Sequence, residues 1–118
     1  MNNSKRGFFT VEEGTSYELP IYEVVDGVGI QETGQSHPLN FVRGSKLGDE
    51  NVEKRKGTLH EHLLSTMIHD LKFKSKLVPS RESSLVITKL EEALFWMEER
   101  QRSRESAGVA GTYKVIPK

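Results

Sequence analysis

Eight of the ten glycines in this 118-residue chain lie within residues 1–57, and none falls between Thr58 and Ala107. Glycine weakens a helix by about 1 kcal/mol relative to alanine, yet it is favoured wherever the backbone takes positive φ. The partition therefore assigns the first half to short extended segments and turns and the second to helix. Phe8, Phe9 and Val11 suggest one short strand, and Tyr17, Leu19, Ile21 and Val25 mark a longer one. Asp26-Gly27 is hairpin-turn chemistry, and Val28 with Ile30 begins the return. Pro20 cannot donate to a ladder, so it places its strand at an edge or at a bulge. Residues 31–48 are rich in Gly, Ser, Thr, Asn and His around the apolar island 39–43, and they read as one long loop of functional character.

The second half carries two helical signatures. Thr58 and Glu61 have capping-box spacing. Leu63, Leu64, Met67, Ile68 and Leu71 then form one apolar stripe. Pro79 ends that helix near Lys76, and Ser80 is the expected N-cap of the next, which runs to about Arg104. Val86, Ile87, Leu90, Ala93, Leu94 and Met97 share a face of the second helix, and the short link predicts an antiparallel hairpin. The expected architecture is α+β: a small N-terminal antiparallel β-sheet followed by a long antiparallel two-helix hairpin. One domain spans 1–118, with a β-rich part at 1–57, the hairpin at 58–104 and a C-terminal tail at 105–118.

Composition removes several function classes. Lys plus Arg and Asp plus Glu are 17 each, so there is no positive excess to drive general nucleic-acid or membrane-surface binding. With no cysteine, disulfides, thiolate metal sites and a cysteine nucleophile are excluded. No apolar run reaches the ~18 residues of a membrane span, and the expected compartment is a reducing cytoplasm. Gly29 and Gly34 do not make a phosphate loop, because no Lys-Ser/Thr follows them. His60 and His62 point ~200° apart on a helix, and His62 with His69 lacks a third ligand, so neither a metal nor a catalytic residue is expected.

At ~100° per residue, Leu85, Lys89 and Trp96 lie beside the main stripe of the second helix and Phe95 lies well away from it. One partner helix cannot cover all of these; the small sheet could cover one patch and self-association the other, with Leu85, Phe95 and Trp96 the expected contact between copies of the chain. Arg100 and Arg104 continue the stripe. They either cap a solvated helix end or offer two guanidiniums to an anion.

The run from Pro79 to Trp96, including Thr88-Lys89-Leu90-Glu91-Glu92-Ala93-Leu94-Phe95-Trp96, resembles the helical hairpin shared by two families of phage anti-defence sponge proteins, with residues 63–76 as its first arm. These are the Thoeris anti-defence type 1 and the anti-CBASS type 2 families. The appended glycine-rich, β-like first half points to the anti-Thoeris family. The resemblance implies a binding protein without turnover or cofactor, which sequesters cyclic ADP-ribose isomers (glycocyclic ADP-ribose made by TIR-domain enzymes). It implies a dimer or hexamer with ligand pockets between subunits, separate sites for cyclic di- or trinucleotides in some members, and action in the cytoplasm of the infected bacterial host. Carried over to this chain, Arg100 and Arg104 are the pyrophosphate ligands and Phe73 the adenine platform. Phe41 and Arg43 would close the pocket, and Lys89 would serve a second nucleotide site or the subunit contact.

Two other classes compete. Lys54-Arg55-Lys56 and the Arg100–Arg104 segment suggest a small nucleic-acid or regulatory binding protein, although neighbouring Glu residues dilute both. The histidines suggest a cyclic-nucleotide hydrolase, but they lack HExxH spacing. Within one hairpin, helix length places Phe73 and Arg104 ~30 Å apart, so a shared ligand would require two chains.

Overall fold

The computed structural model describes residues 7–44 and 53–106. Three strands, β1 (Phe9–Glu12), β2 (Ser16–Val25) and β3 (Gly29–Asn40), precede two helices, α1 (His60–Leu77) and α2 (Arg81–Ser106). The fold is α+β, with the antiparallel sheet and the helical hairpin in the expected order. The described residues form two compact units: 7–43 with 54–57, and the helical unit built on 58–106. The expected tail beyond Ser106 and the expected loop residues 45–48 lie outside the described residues.

The sheet has the order β1-β2-β3 and is antiparallel throughout. At the first turn the Thr15 N–H donates to the Glu12 carbonyl at 3.2 Å, and Gly14 takes a φ of +84° that a side chain would oppose. Thr15 is fully buried. Its hydroxyl donates to the Phe41 carbonyl at 2.7 Å, and its own carbonyl accepts the Phe41 N–H at 2.7 Å. The first turn is thus tied to the far end of β3. Tyr17 completes this small core, with Phe8 and Phe41 packed edge-on at 5.9 and 6.1 Å.

The turn at Asp26-Gly27 forms as expected, with the Val28 N–H donating to the Val25 carbonyl at 3.0 Å and Gly27 at φ +81°. Pro20 sits at a bulge in the central strand rather than on an edge strand. The register passes from Pro20↔Ser36 to Tyr22↔Glu32, so Ile21 opposes residues 33–35. Gly34 at φ +84° and the Thr33 hydroxyl, which donates to the Ile21 carbonyl at 3.0 Å, hold the bulge. The long loop expected over 31–48 is corrected: residues up to Asn40 continue β3. Pairing with β2 satisfies their backbone, and this outweighs the weak strand preference of Gly, Ser and Pro.

Past β3 the chain returns to the sheet unit. Arg43 and Arg55 exchange backbone hydrogen bonds at 3.0 and 3.1 Å. Both guanidiniums reach one carboxylate: Arg43 to Glu12 at 2.7 Å and Arg55 to Glu12 at 3.2 Å. Gly57 follows, and a Cβ there would lie 2.6 Å from both the Asn40 carbonyl oxygen and the Val42 nitrogen. Only glycine permits that approach.

In the helical unit, the expected capping box does not form. The N-cap is Leu59, without a side-chain cap, and the Leu59 carbonyl accepts from His62 and Leu63 at 3.1 and 3.3 Å. Starting the helix at His60 puts Thr58 one residue too early to cap it. Ser80 does cap α2: its hydroxyl accepts the Ser83 N–H at 3.0 Å. The helices run antiparallel, as the Lys72–Glu91 pair at 2.9 Å and a hollow nearer the turn lined by both Ser75 and Ser84 show. Ile68 is buried, flanked by half-buried Leu64 and Leu71 on α1 and by Ile87, Leu90, Leu94 and Met97 on α2. Met67, Val86 and Ala93, expected on the packed faces, are exposed instead. Two helices in contact cover a strip narrower than the apolar pattern on either.

The Arg55 hydrogen bond, reinforced by Arg43, holds the Glu12 carboxyl below its ordinary value near 4.5 despite opposing desolvation. A group with a lowered folded-state pKa stabilises above its ordinary value, and that contribution is lost as pH falls through the lowered one. Glu12→Gln should therefore flatten the acid dependence of the thermal midpoint below about pH 4.5. Melting curves from pH 3 to 7 would check this, and equal slopes in both proteins would refute it.

Candidate ligand-binding site

The expected phosphate ligands are both on α2, one helical turn apart, but they occupy different environments. Arg100 is exposed, following the outward line of Ala93 and Trp96. Arg104 is 5% exposed and follows Leu90, Leu94, Met97 and Gln101 on the packed side. The reading of both arginines as a solvated helix end is corrected for Arg104, because a ~100° step carries every third or fourth residue back to the covered face. Lys89 is exposed on the same outward line as Arg100, two turns before Trp96. That line reads Leu85, Lys89, Ala93, Trp96, Arg100: apolar groups interleaved with cations.

Phe73 lies on the outer side of α1, 57% exposed, so it is not a core residue of the hairpin tip. The Lys72–Glu91 pair sets its height along the hairpin. Arg100 is nine and Arg104 thirteen residues beyond Glu91, which puts Arg104 ~20 Å further along the axis. This replaces the ~30 Å expected from full helix length, since Phe73 stands a turn short of the tip and Glu91 well inside α2. The structure does not bring Phe73 and Arg104 of one chain onto a common small ligand.

Trp96 is 64% exposed, and Phe95 and Leu85 are half exposed. The Phe95 and Trp96 rings meet edge-on at 5.1 Å. Phe95 also borders a 330 Å³ groove between the helices, lined by Ile68, His69, Lys72, Leu94 and Glu98. Among the described residues no group of three His, Asp or Glu side chains is placed to hold a metal ion.

The sheet unit holds the remaining candidates. Phe41 is half-buried against Tyr17, with its N–H and carbonyl both bonded to Thr15. Arg43 is held by Glu12 and also donates to the Glu13 carbonyl at 3.3 Å. The pairing of Arg43 with Arg55 on one carboxylate is a feature that sequence reading missed. The partners are 31 and 43 residues from Glu12, and no local spacing signals them.

A cavity of 490 Å³ opens on the sheet, with a floor of Phe9, Pro20 and Ile21 and with Glu18 and Glu32 among its walls. Ser36 donates to Glu18 at 2.6 Å and the Tyr22 hydroxyl to Glu32 at 3.2 Å. Partial desolvation, and then the Glu32 charge, hold the Tyr22 phenol above its ordinary value. Residues 7–36 contain Glu12, Glu13, Glu18, Glu23, Asp26 and Glu32 and no Lys, Arg or His.

The hairpin defines the class. Residues 48–102 match the family described as Acb2/Tad1, hairpin domain. The chain is also 37% identical over 82 residues to "Thoeris anti-defense 1" of Bacillus phage SBSphiJ7, an alignment that takes in 69% of this chain and 55% of that protein. The chain thus resembles the Thoeris anti-defence type 1 sponge family and shares its hairpin with the anti-CBASS type 2 proteins. It spans about half the length of that curated relative. No helix among the described residues is long and apolar enough to cross a membrane.

The different burial of the two arginines has a measurable consequence. Arg104→Ala should lower stability by about 3 kcal/mol, because it empties a buried position and strands whatever the guanidinium satisfies. Arg100→Ala should change it by less than about 0.5 kcal/mol. Urea unfolding of both variants checks this, and equal midpoints would place both residues in solvent.

Proposed function

We propose that this protein is a phage-encoded sponge that binds and sequesters cyclic ADP-ribose isomer signals, without turnover, in the cytoplasm of the infected host, and so blocks Thoeris defence. The likeness of residues 48–102 to the Acb2/Tad1 hairpin and of the chain to a Thoeris anti-defense 1 protein carries the reading. The chemistry of the α2 surface supports it. A cyclic ADP-ribose carries a pyrophosphate, which suits guanidinium donors, and an adenine, which suits an aromatic face. Arg100 is available on the surface for the first role and Phe73 for the second. Arg104 would act from a buried, pre-positioned setting. Lys89 would serve a further site for cyclic di- or trinucleotides or the subunit contact, and Phe41 and Arg43 remain ligand candidates from the sheet unit.

The assembly belongs to the same proposal. Leu85, Val86 and Trp96 are too apolar to leave wet, and a second copy that covers them makes a dimer or the building block of a hexamer. Because Phe73 and Arg104 of one chain are ~20 Å apart along the axis, a pocket that uses both draws them from different chains.

Calorimetric titration with cyclic ADP-ribose isomers and cyclic dinucleotides tests the binding. A Kd tighter than ~10 μM, near −7 kcal/mol, with intact ligand recovered on heating, is the expected result. A linear product would make the protein an enzyme, and an absence of binding would end the sponge reading. Arg100→Ala should cost about 2–5 kcal/mol of affinity with the fold intact. Trp96→Asp should reduce the solution mass to that of a monomer, and a wild type that is monomeric at ~10 μM would remove the premise of an interface. Mixing Phe73→Ala with Arg104→Ala protein, each shown to be folded and with subunit exchange shown by a mass label, should restore up to half of the pockets. No recovery would exclude Phe73 from an intersubunit site.

A further inference from the structure

We propose that the cavity on the sheet is a separate binding site for a planar organic cation bearing N–H donors, such as an aryl amidine, an aryl guanidine or an aminated heteroaromatic. The proposal does not rest on the nucleotide-sequestering reading, and its ligand has the opposite charge.

The cavity exists because of the bulge. Where Ile21 opposes residues 33–35, the ribbon bends. Gly34 leaves open space at the bend, since a Cβ there would meet no atom within 4 Å. The Thr33 hydroxyl fixes the bend from both sides, donating to the Ile21 carbonyl at 3.0 Å and accepting the Gln35 N–H at 3.1 Å. The result is a preformed hollow of 490 Å³, within the ~300–1,000 Å³ of small-molecule sites. Its floor of Phe9, Pro20 and Ile21 suits a flat apolar body.

The charge decides which flat body. Glu18 and Glu32 line the hollow, and among the described residues no Lys, Arg or His does. Ser36 and Tyr22 each engage one oxygen, Oε1, of these carboxylates and orient them. The second oxygen of each has no donor among the described residues and is able to accept from a ligand. The stretch from residue 7 to residue 36 carries carboxylates and no cation, so its own charges favour a cation over an anion. A pyrophosphate would be repelled there. A delocalised cation, weakly hydrated and planar, loses the least on leaving water and gains charge-assisted hydrogen bonds to both rims.

Benzamidine and benzoate, which share a ring and differ in charge, test this on the full chain by amide chemical shifts. Benzamidine should shift the amides of Phe9, Ile21 and Gly34 with a Kd of about 1 mM or tighter, and raising NaCl from 20 to 300 mM should weaken it several-fold. Benzoate should leave these amides unmoved. The double variant Glu18→Gln, Glu32→Gln keeps both acceptors for Ser36 and Tyr22 and should lose at least about tenfold in affinity. Equal shifts from benzoate, salt-independent binding, or an unchanged affinity in a folded double variant would each overturn the proposal. So would shifts of the same amides on protein dilution without ligand, because a second copy would then be the occupant.

Discussion

Two helices in contact can each bury only one strip, and α2 carries apolar side chains on more than one. The strip facing α1 takes Ile87, Leu90, Leu94 and Met97, while Leu85, Val86 and Trp96 stay outside it. This excess is the constraint on which the reading of the hairpin depends. Were the outer line polar, the hairpin would be complete as a monomer and Arg100 would be one solvated cation among many. Because the line alternates Leu85, Trp96 and Ala93 with Lys89 and Arg100, its coverage by a second copy would bring cations to the edge of an apolar seam. Such a site binds an anion with a flat apolar part better than it binds a bare phosphate.

Arg104 shows a second consequence of the same geometry. A buried guanidinium is costly to desolvate and is kept only where its donors are satisfied. Its burial makes it rigid, which favours recognition through pre-organisation, and it makes its removal a stability change as well as a binding change. Affinity data on Arg104 variants therefore need a stability measurement beside them, whereas any effect of exposed Arg100 on affinity would be free of that complication.

The zero net charge hides a segregation of charge. The sheet ribbon carries only acidic charges from Glu12 to Glu32, with cations at Lys5 and Arg6 before it and from Arg43 onward after it. Glu12 is the exception within the ribbon, held by Arg43 and Arg55 from the returning chain. Among the described residues Glu18 and Glu32 have no such cationic partner, and they line the sheet cavity. An anionic nucleotide and the sheet cavity are therefore mismatched, and the cation-bearing outer line of α2 is the surface suited to it.

Local chemistry made much of the fold legible in advance. Gly27 takes the positive φ that its turn requires, Pro20 marks the bulge, Ser80 caps α2, and the glycine-free stretch is helical. Each of these depends on a residue and its immediate neighbours. What failed depended on partners far along the chain. Residues 31–40 have the composition of a loop but form a strand because β2 offers them a ladder, and Thr58 fails as a cap because the helix begins one residue later. A helical wheel sets Leu85, Lys89 and Trp96 beside the main stripe, but it leaves Arg100 on the stripe with Arg104. Which of Arg100 and Arg104 is buried could not be read from it, since packing chooses the angle at which α2 is covered. The sequence by itself determined the order of sheet and helices, the helical hairpin and the cation-and-aromatic chemistry of α2, all of which follow from short-range periodicity and backbone preference. The tertiary structure alone decided the Glu12–Arg43–Arg55 cluster, the burial of Arg104 and the cavity beside Gly34, because each depends on which distant backbone lies next to it.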